Sequence, residues 1–318
     1  MRYKNIIKPI IFTLGLILIL LLVSAFTSRY GFIQGPYSKM TGVFKAPTNS
    51  LDYLVIGDSE SCSSISPMEI WKEFGFAGYN CGIPGQPLKD NYHWLEKALK
   101  NQSPKVILLE TNAFYRNTTY MKELETTFKL QMSASFSIFQ YHNDWLHISL
   151  KDLKREKSKP HDLALRDGAG FKNTRIIKPY VKGPYIKKTK EKEIIKEIPM
   201  SYLNKIVALC KQKNIELILY SSPSPVCWTY QKHNAAAAFA KENKLQYIDL
   251  NIRISEVGID WSKDTRDNGN HVNYFGSQKV TKYIGKYLSK HTDMTDHRNN
   301  KNYESWNEAL EHFINQPG

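Results

Sequence analysis

Apolar residues fall into three kinds of run along this chain. The first is a single long stretch, residues 10–26, apolar apart from hydroxyls and one glycine. With Ile6 and Ile7 it approaches the roughly 20 residues that cross a bilayer. The second kind is short and aliphatic: residues 51–56, 104–112, 215–220 and 245–250, with a shorter segment near 77–81. Runs apolar at nearly every position suit strands covered on both faces. The third kind has helical spacing. Met68, Ile70, Trp71 and Phe74 form one stripe, Tyr92, Leu95, Ala98 and Leu99 a second, and Val280, Tyr283, Ile284 and Leu288 a third. Residues 202–213 and the alanine-rich 230–243 complete the set. Strands alternating with helices predict an α/β domain of three layers, helices on both faces of a mostly parallel, doubly wound sheet.

Where the alternation lapses, the organisation of the chain shows. Residues 1–27 form the expected membrane anchor and the glycine- and proline-bearing 28–50 a tether. Residues 51–291 form the domain, and 292–318 a polar tail with a short helix around 306–313. Inside the domain, 113–199 fits no strand–helix unit. Its first part is aromatic (Phe114, Tyr115, Phe128, Phe136, Phe139, Tyr141, Trp145) and its second part lysine-rich. A long irregular segment within a compact domain is functional or disordered, so it is expected either to lie over the sheet's functional edge or to be a solvated surface.

Charge and compartment narrow the partners. A formal charge of +14 over 318 residues favours anionic partners. Arg2, Lys4 and Lys8 precede the apolar stretch, which places the N-terminus in the cytoplasm and the domain outside it. Val23-Ser24-Ala25 has the small residues of a signal-peptidase site, so cleavage is the alternative to a retained single-pass anchor. Both readings make the domain extracytoplasmic and exclude nucleic acid as the expected partner. The cysteines Cys62, Cys81, Cys210 and Cys227 permit disulfides there, although small buried side chains are the simpler reading for at least two of them.

The first strong strand ends in Gly57-Asp58-Ser59, where an open α/β sheet presents groups to a ligand. A serine hydroxyl becomes a nucleophile when a base takes its proton, and the base needs an orienting carboxylate. His271 is the candidate base, in the glycine-containing loop Asp267-Asn-Gly-Asn-His271 just before the last helix. Asp267 is the favoured carboxylate and Asp264 the reserve. A developing oxyanion needs preorganised donors, and the Ser59 N–H, the Gly85 N–H and the Asn112 amide all fall at strand ends. Trp228 and Asp264 are further candidates for the pocket, as is His142 from the insertion; Trp228 and His142 also have ordinary structural readings. No cofactor is called for. A metal held by Asp264, Asp267 and His271 lacks the further ligand such sites recruit.

Gly57-Asp58-Ser59, then Asn80-x-Gly82-x-x-Gly85, then Glu110-x-Asn112, then Asp267 with His271, in that order, resemble the four blocks of the SGNH/GDSL hydrolase family. The resemblance covers residues 51–116 and 200–290. It implies a flavodoxin-like sheet, Ser59 as nucleophile, Gly85 and Asn112 as oxyanion donors and His271 as base. Two positions depart from the pattern: Glu110 stands where the third block has glycine, and Asn268 where the fourth has aspartate.

A basic extracytoplasmic domain on an anchor resembles those family members that modify cell-surface polymers, by polysaccharide O-acetylation or in teichoic acid synthesis. The expectation is a serine esterase or O-acyltransferase acting on an ester of such a polymer, with a multi-spanning membrane O-acyltransferase as a possible partner. The rival expectation is a non-catalytic protein of the same fold that binds an anionic glycan through the insertion.

Overall fold

A computed structural model describes residues 2–30, 42–116 and 160–315, together with the single positions 121, 128 and 132. Two compact units divide the chain, one comprising residues 1–41 and 118–158, the other 42–117 and 159–318. In the first, α1 (Arg2–Tyr30) is one helix with Pro9 inside it. Its segment Ile7–Ser24 is long and apolar enough to cross a membrane, a property that a signal sequence shares.

The second unit is built on five parallel strands: β1 (Tyr53–Ile56), β2 (Gly78–Asn80), β3 (Val106–Glu110), β4 (Glu216–Ser221) and β5 (Gln246–Asp249). Their order is β2-β1-β3-β4-β5, a doubly wound sheet of the flavodoxin-like type. β1 and β3 are buried at every position, which is why their sequences carry no alternation. Tyr53 pairs with Val106 and Ile56 with Leu109 in one central register.

Among the described residues, the α-helices of this unit are α2 (Ser59–Ser64), α3 (Pro67–Phe74), α4 (Leu88–Ala98), α5 (Pro160–Arg166), α6 (Glu197–Gln212), α7 (Tyr230–Asn243), α8 (Ile254–Val257), α9 (Tyr274–His291) and α10 (Glu304–Ile314). On one face, Ile70 of α3 and Val280, Ile284 and Leu288 of α9 pack with Tyr53, Val55, Val106, Leu108, Ile218 and Tyr220 from the strands. α4 packs against α6, and α7 packs on β4 and β5. Ser66 caps α3, accepting from the Glu69 N–H, with Pro67 in its first turn and left-handed Gly75 at its end.

Both ends of the domain reach further than the pattern of residues suggests. Before β1, Val43 and Ala46 are buried, so the domain begins near residue 42 rather than 51. After α9, the expected tail packs: Trp306, Ala309 and Phe313 lie on one buried stripe of α10. α10 contacts α5, and Trp306 stacks obliquely on Trp71, ring centroids 5.1 Å apart.

The lysine-rich half of the insertion also differs from a loose surface. Residues 171–196 contain no regular element, yet the backbone N–H of Lys172 donates to Cys62, Lys178 to Thr265, Tyr180 to Trp261 and Glu193 to Gln231. This strap is pinned by loops and helix ends, which demand no periodicity from its side chains. Most of the aromatic half, His142 included, lies outside the described residues. Cys62, Cys81 and Cys210 are buried. Burial pushes the Cys81 and Cys210 thiols up to about 12.

Candidate active site

β1 delivers its last residues to the carboxyl end of the sheet, where a sharp turn starts α2. Gly57 has φ 151, and a side chain there would sit 2.7 Å from the Glu110 Cβ, so only glycine fits. Asp58 caps α2: its Oδ1 accepts the Glu60 N–H at 3.0 Å. Ser59 is the first helical residue and is 8% exposed.

The second block braces this turn. Asn80 Nδ2 donates to the carbonyls of Ser61 and Ile65, each at 2.8 Å, and its Oδ1 accepts the Gly82 N–H. A side chain on Gly82 would meet Ser61 Oγ at 1.9 Å and the Asp58 carbonyl at 2.9 Å. Gly82 therefore lies against the serine helix. Gly85, the expected oxyanion donor, is exposed with φ 73, and nothing among the described residues lies within 4 Å of where its side chain would be.

The third block ends β3 in a 3-10 turn, Thr111–Tyr115. Glu110 stands where the resembling family has glycine, and it acts as a brace. Its carboxyl accepts the N–H of Asn112 at 2.7 Å and of Ser222 at 3.2 Å. Burial, aided by Asp58, holds the carboxyl of Glu110 well above the usual range. Asn112 is engaged on both sides of its amide: Nδ2 donates to Asp58 Oδ2 at 2.9 Å, and Oδ1 accepts from Lys232 Nζ at 3.4 Å.

The fourth block supplies a histidine held by a carboxylate. Asp267 Oδ2 lies 2.6 Å from His271 Nδ1, and Asp267 Oδ1 accepts the His271 backbone N–H at 2.7 Å. Asn268 at φ 57 and Gly269 at φ 88 are both left-handed, and these two residues fold the loop back on itself. Asparagine tolerates that conformation. The departure from the family spacing thus accompanies a loop in which the carboxylate one residue earlier reaches the imidazole. The strap fixes this loop from outside, since Lys178 accepts the Asn268 N–H at 3.0 Å and Tyr180 packs over Gly269.

With Nδ1 committed to Asp267, Nε2 makes no hydrogen bond among the described residues. Burial lowers the His271 pKa below its ordinary value, against the opposing pull of Asp267. That direction favours the neutral imidazole, whose lone pair falls on Nε2 when Nδ1 donates to Asp267. Glu60 Oε1 stands 3.7 Å from that nitrogen. Glu60 is buried beside the Cys227 thiol, and desolvation holds it well above the usual carboxylate range.

The other candidates sort by their partners. Asp264 is buried and does not reach His271; it accepts the Asp260 N–H at 2.7 Å and binds Lys279 at 2.5 Å. Trp228 lines a small recess with Asn112, Tyr115 and Lys232, but its Nε1 is bonded to Asp249 at 2.9 Å. The described residues include no cluster suited to a metal ion. Two groups escape sequence reasoning altogether. Arg116 donates through Nε to Asp58 and through Nη2 to Ser59 Oγ at 3.5 Å. Glu60 is the other, and only its place directly after Ser59 hinted at it.

No family model matches the sequence, and no curated protein does. Solved structures do. A GDSL-like lipase from Bacteroides thetaiotaomicron covers 80% of this chain and 97% of its own, at 14% identity and TM-score 0.41. The lipase/acylhydrolase from Enterococcus faecalis covers 77% and 99%, at 13% identity and TM-score 0.39. The esterase EstA from a Pseudoalteromonas covers 75% and 97%, at 11% and 0.38. At these identities and TM-scores the fold and the roles of residues rest on the domain's own geometry.

Proposed function

We propose that this protein is an extracytoplasmic serine esterase or O-acyltransferase acting on an ester of a cell-surface polymer. The observation that carries the reading is the held imidazole: Asp267 fixes Nδ1 at 2.6 Å while the buried Nε2 is left without a hydrogen bond, in the domain that carries Ser59 at a strand end. In the first half-reaction Ser59 Oγ forms a bond to the ester carbonyl carbon and its proton passes to His271 Nε2. The tetrahedral intermediate then collapses, and the leaving alkoxide takes that proton from His271. An acyl-serine remains. Water or a sugar hydroxyl, deprotonated by the same imidazole, completes hydrolysis or transfer.

The polymer part of the reading draws on the strap. Residues 171–196 carry eight lysines and one arginine against two glutamates, and all eight lysines are exposed. A surface of that sign beside the His271 loop suits a polyanion. The apolar helix α1 would hold the domain at the membrane, within reach of a multi-spanning O-acyltransferase as acyl donor.

A serine-reactive fluorophosphonate probe tests the activity. The domain is expected to label, and labelling is expected to vanish in Ser59→Ala. Absence of labelling in the parent protein, together with anionic glycan binding that survives Ser59→Ala, would leave the non-catalytic binding protein as the correct reading.

A further inference from the structure

We propose that Arg116 is an additional catalytic residue and supplies the cationic half of the oxyanion site, taking the part expected of Asn112. This rests on the serine-esterase reading above. Its starting point is a mismatch between expectation and contact. The Asn112 amide is fixed by Asp58 on one side and Lys232 on the other, whereas the group that reaches the reacting oxygen is a guanidinium, with Nη2 3.5 Å from Ser59 Oγ.

The local chain explains why the guanidinium sits there. Arg116 directly follows the 3-10 turn that ends β3, and its own N–H closes that turn on the Ala113 carbonyl at 3.2 Å. From that position Nε binds Asp58 Oδ2. Asp58 is wholly buried, and its other oxygen caps the serine helix. One carboxylate therefore ties the nucleophile's helix to the arginine, so the cation and Ser59 Oγ are located by the same anchor. A guanidinium carries more donors than these two bonds use. The Arg116 side chain is about one-third exposed, open enough for substrate to meet it.

The chemistry follows from where charge appears. As the Oγ–carbon bond forms, the carbonyl pair moves onto oxygen, and the proton of Oγ goes to His271 Nε2. The negative charge develops one bond away from the carbon that Oγ attacks, beside the cation already at Oγ. In the ground state the charge of Arg116 is balanced by Asp58, which offsets the cost of holding it in a partly dry site. It needs no rearrangement when the oxyanion forms, the condition under which a fixed donor is most effective. A donor that acts on the transition state alone changes kcat and leaves substrate binding nearly untouched.

The test compares Arg116→Gln and Arg116→Lys with the parent protein, using p-nitrophenyl acetate turnover, inhibition by a boronic acid that forms a tetrahedral adduct on Ser59, and inhibition by a non-reactive ketone-free ester analogue. Arg116→Gln is expected to lower kcat about 10²- to 10³-fold with KM changed by less than about threefold. Boronate affinity should fall by a similar factor and the ester analogue's affinity should hold. Arg116→Lys keeps the charge beside Asp58 and should fall between the two; it also carries the test if Arg116→Gln does not fold. Overturning results are a kcat within about threefold of the parent in both variants, or equal loss of affinity for both inhibitors, which would make Arg116 a structural partner of Asp58. If the parent neither labels with the fluorophosphonate nor turns over ester, the esterase reading fails and this one with it.

Discussion

The domain holds two histidine–carboxylate pairs of nearly identical geometry, and the proposed function gives them opposite purposes. His233 Nδ1 lies 2.7 Å from Asp249 Oδ2 at the end of β5, and His271 Nδ1 lies 2.6 Å from Asp267 Oδ2 in the loop before α9. The difference lies in what else each partner touches. Asp249 is buried and shared: Trp228 Nε1, Tyr247 OH and the Asn251 N–H all donate to it. The His233 ring packs among Trp228, Tyr230 and Tyr247. That pair closes the β5 edge of the sheet. Asp267, by contrast, is 35% exposed, gives both oxygens to His271 and has Arg266 beside it, and the Nε2 of His271 is buried 3.7 Å from Glu60 Oε1. A short His–Asp contact is thus no mark of catalysis in itself; under the proposed function the two pairs are separated by what surrounds each carboxylate.

The strongest way to break this comparison is to remove each imidazole. His271→Ala is expected to lower kcat for p-nitrophenyl acetate by about 10²- to 10⁴-fold, the usual worth of a general base. His233→Ala should keep kcat within a few-fold. Equal losses would show that the buried pair serves the reaction too.

The next test keeps the imidazole and removes its orienting charge. Asp267→Asn is expected to cost about 10²-fold or more in kcat, because Nδ1 loses the acceptor that fixes its tautomer. The pH profile adds a sign. A base works when unprotonated, and burial already lowers the His271 pKa, with Asp267 pulling it back up. The acidic limb of kcat/KM in the parent should therefore fall below the ordinary imidazole value of about 6.5. Asp267→Asn should move it further towards acid while the plateau drops. A limb that moves towards neutral pH would mean another group titrates there.

How much of this was legible in the chain depends on whether a contact runs along the sequence or across the sheet. β1 and β3 announce themselves because strands buried on both faces are apolar throughout. Asp267 and His271 are four residues apart, so a tight loop could be foreseen, although not that Asn268 would take the left-handed turn in it. Arg116 left no such trace. Its partners Asp58 and Ser59 come from a different strand end, brought together only by the β1–β3 register. The strap was misleading for a related reason: its backbone bonds go to residues 62, 231, 261 and 265, so its own side chains show no period and read as loose surface. A short helix around 306–313 was foreseen in a polar tail, but not that Trp306, Ala309 and Phe313 would be buried or that the helix would pack on α5 and α3.

Stability gives the comparison in reverse. Asp249→Ala would leave an indole N–H and a backbone N–H unpaired in a buried place, a loss of roughly 3 kcal/mol that should appear as a lower Tm. Asp267 is 35% exposed, and Asp267→Ala should cost under about 1 kcal/mol. If thermal melts rank the two the other way, the division into a structural and a chemical pair is wrong.

The smallest expected effect concerns the carboxyl that faces the free nitrogen. Glu60 is buried, and that burial, with Asp58 and Glu110 adding to it, raises its pKa well above the ordinary value near 4.5. A group raised in the folded state binds its proton there more tightly than in the unfolded chain. Its favourable contribution is present below the unfolded pKa and is lost as pH rises through the folded one. Glu60→Gln, which carries no ionisable proton, should therefore gain in Tm over the parent as pH rises from about 4.5 towards neutral. The gain should be absent at pH 4, where both forms of residue 60 are uncharged in either state. Melts of the two proteins across that range decide the point: a difference that stays flat with pH would mean that Glu60 is ionised in the folded protein, paired with a protonated His271. The imidazole would then be no base at neutral pH, and the contrast between the two histidines would have to be drawn again.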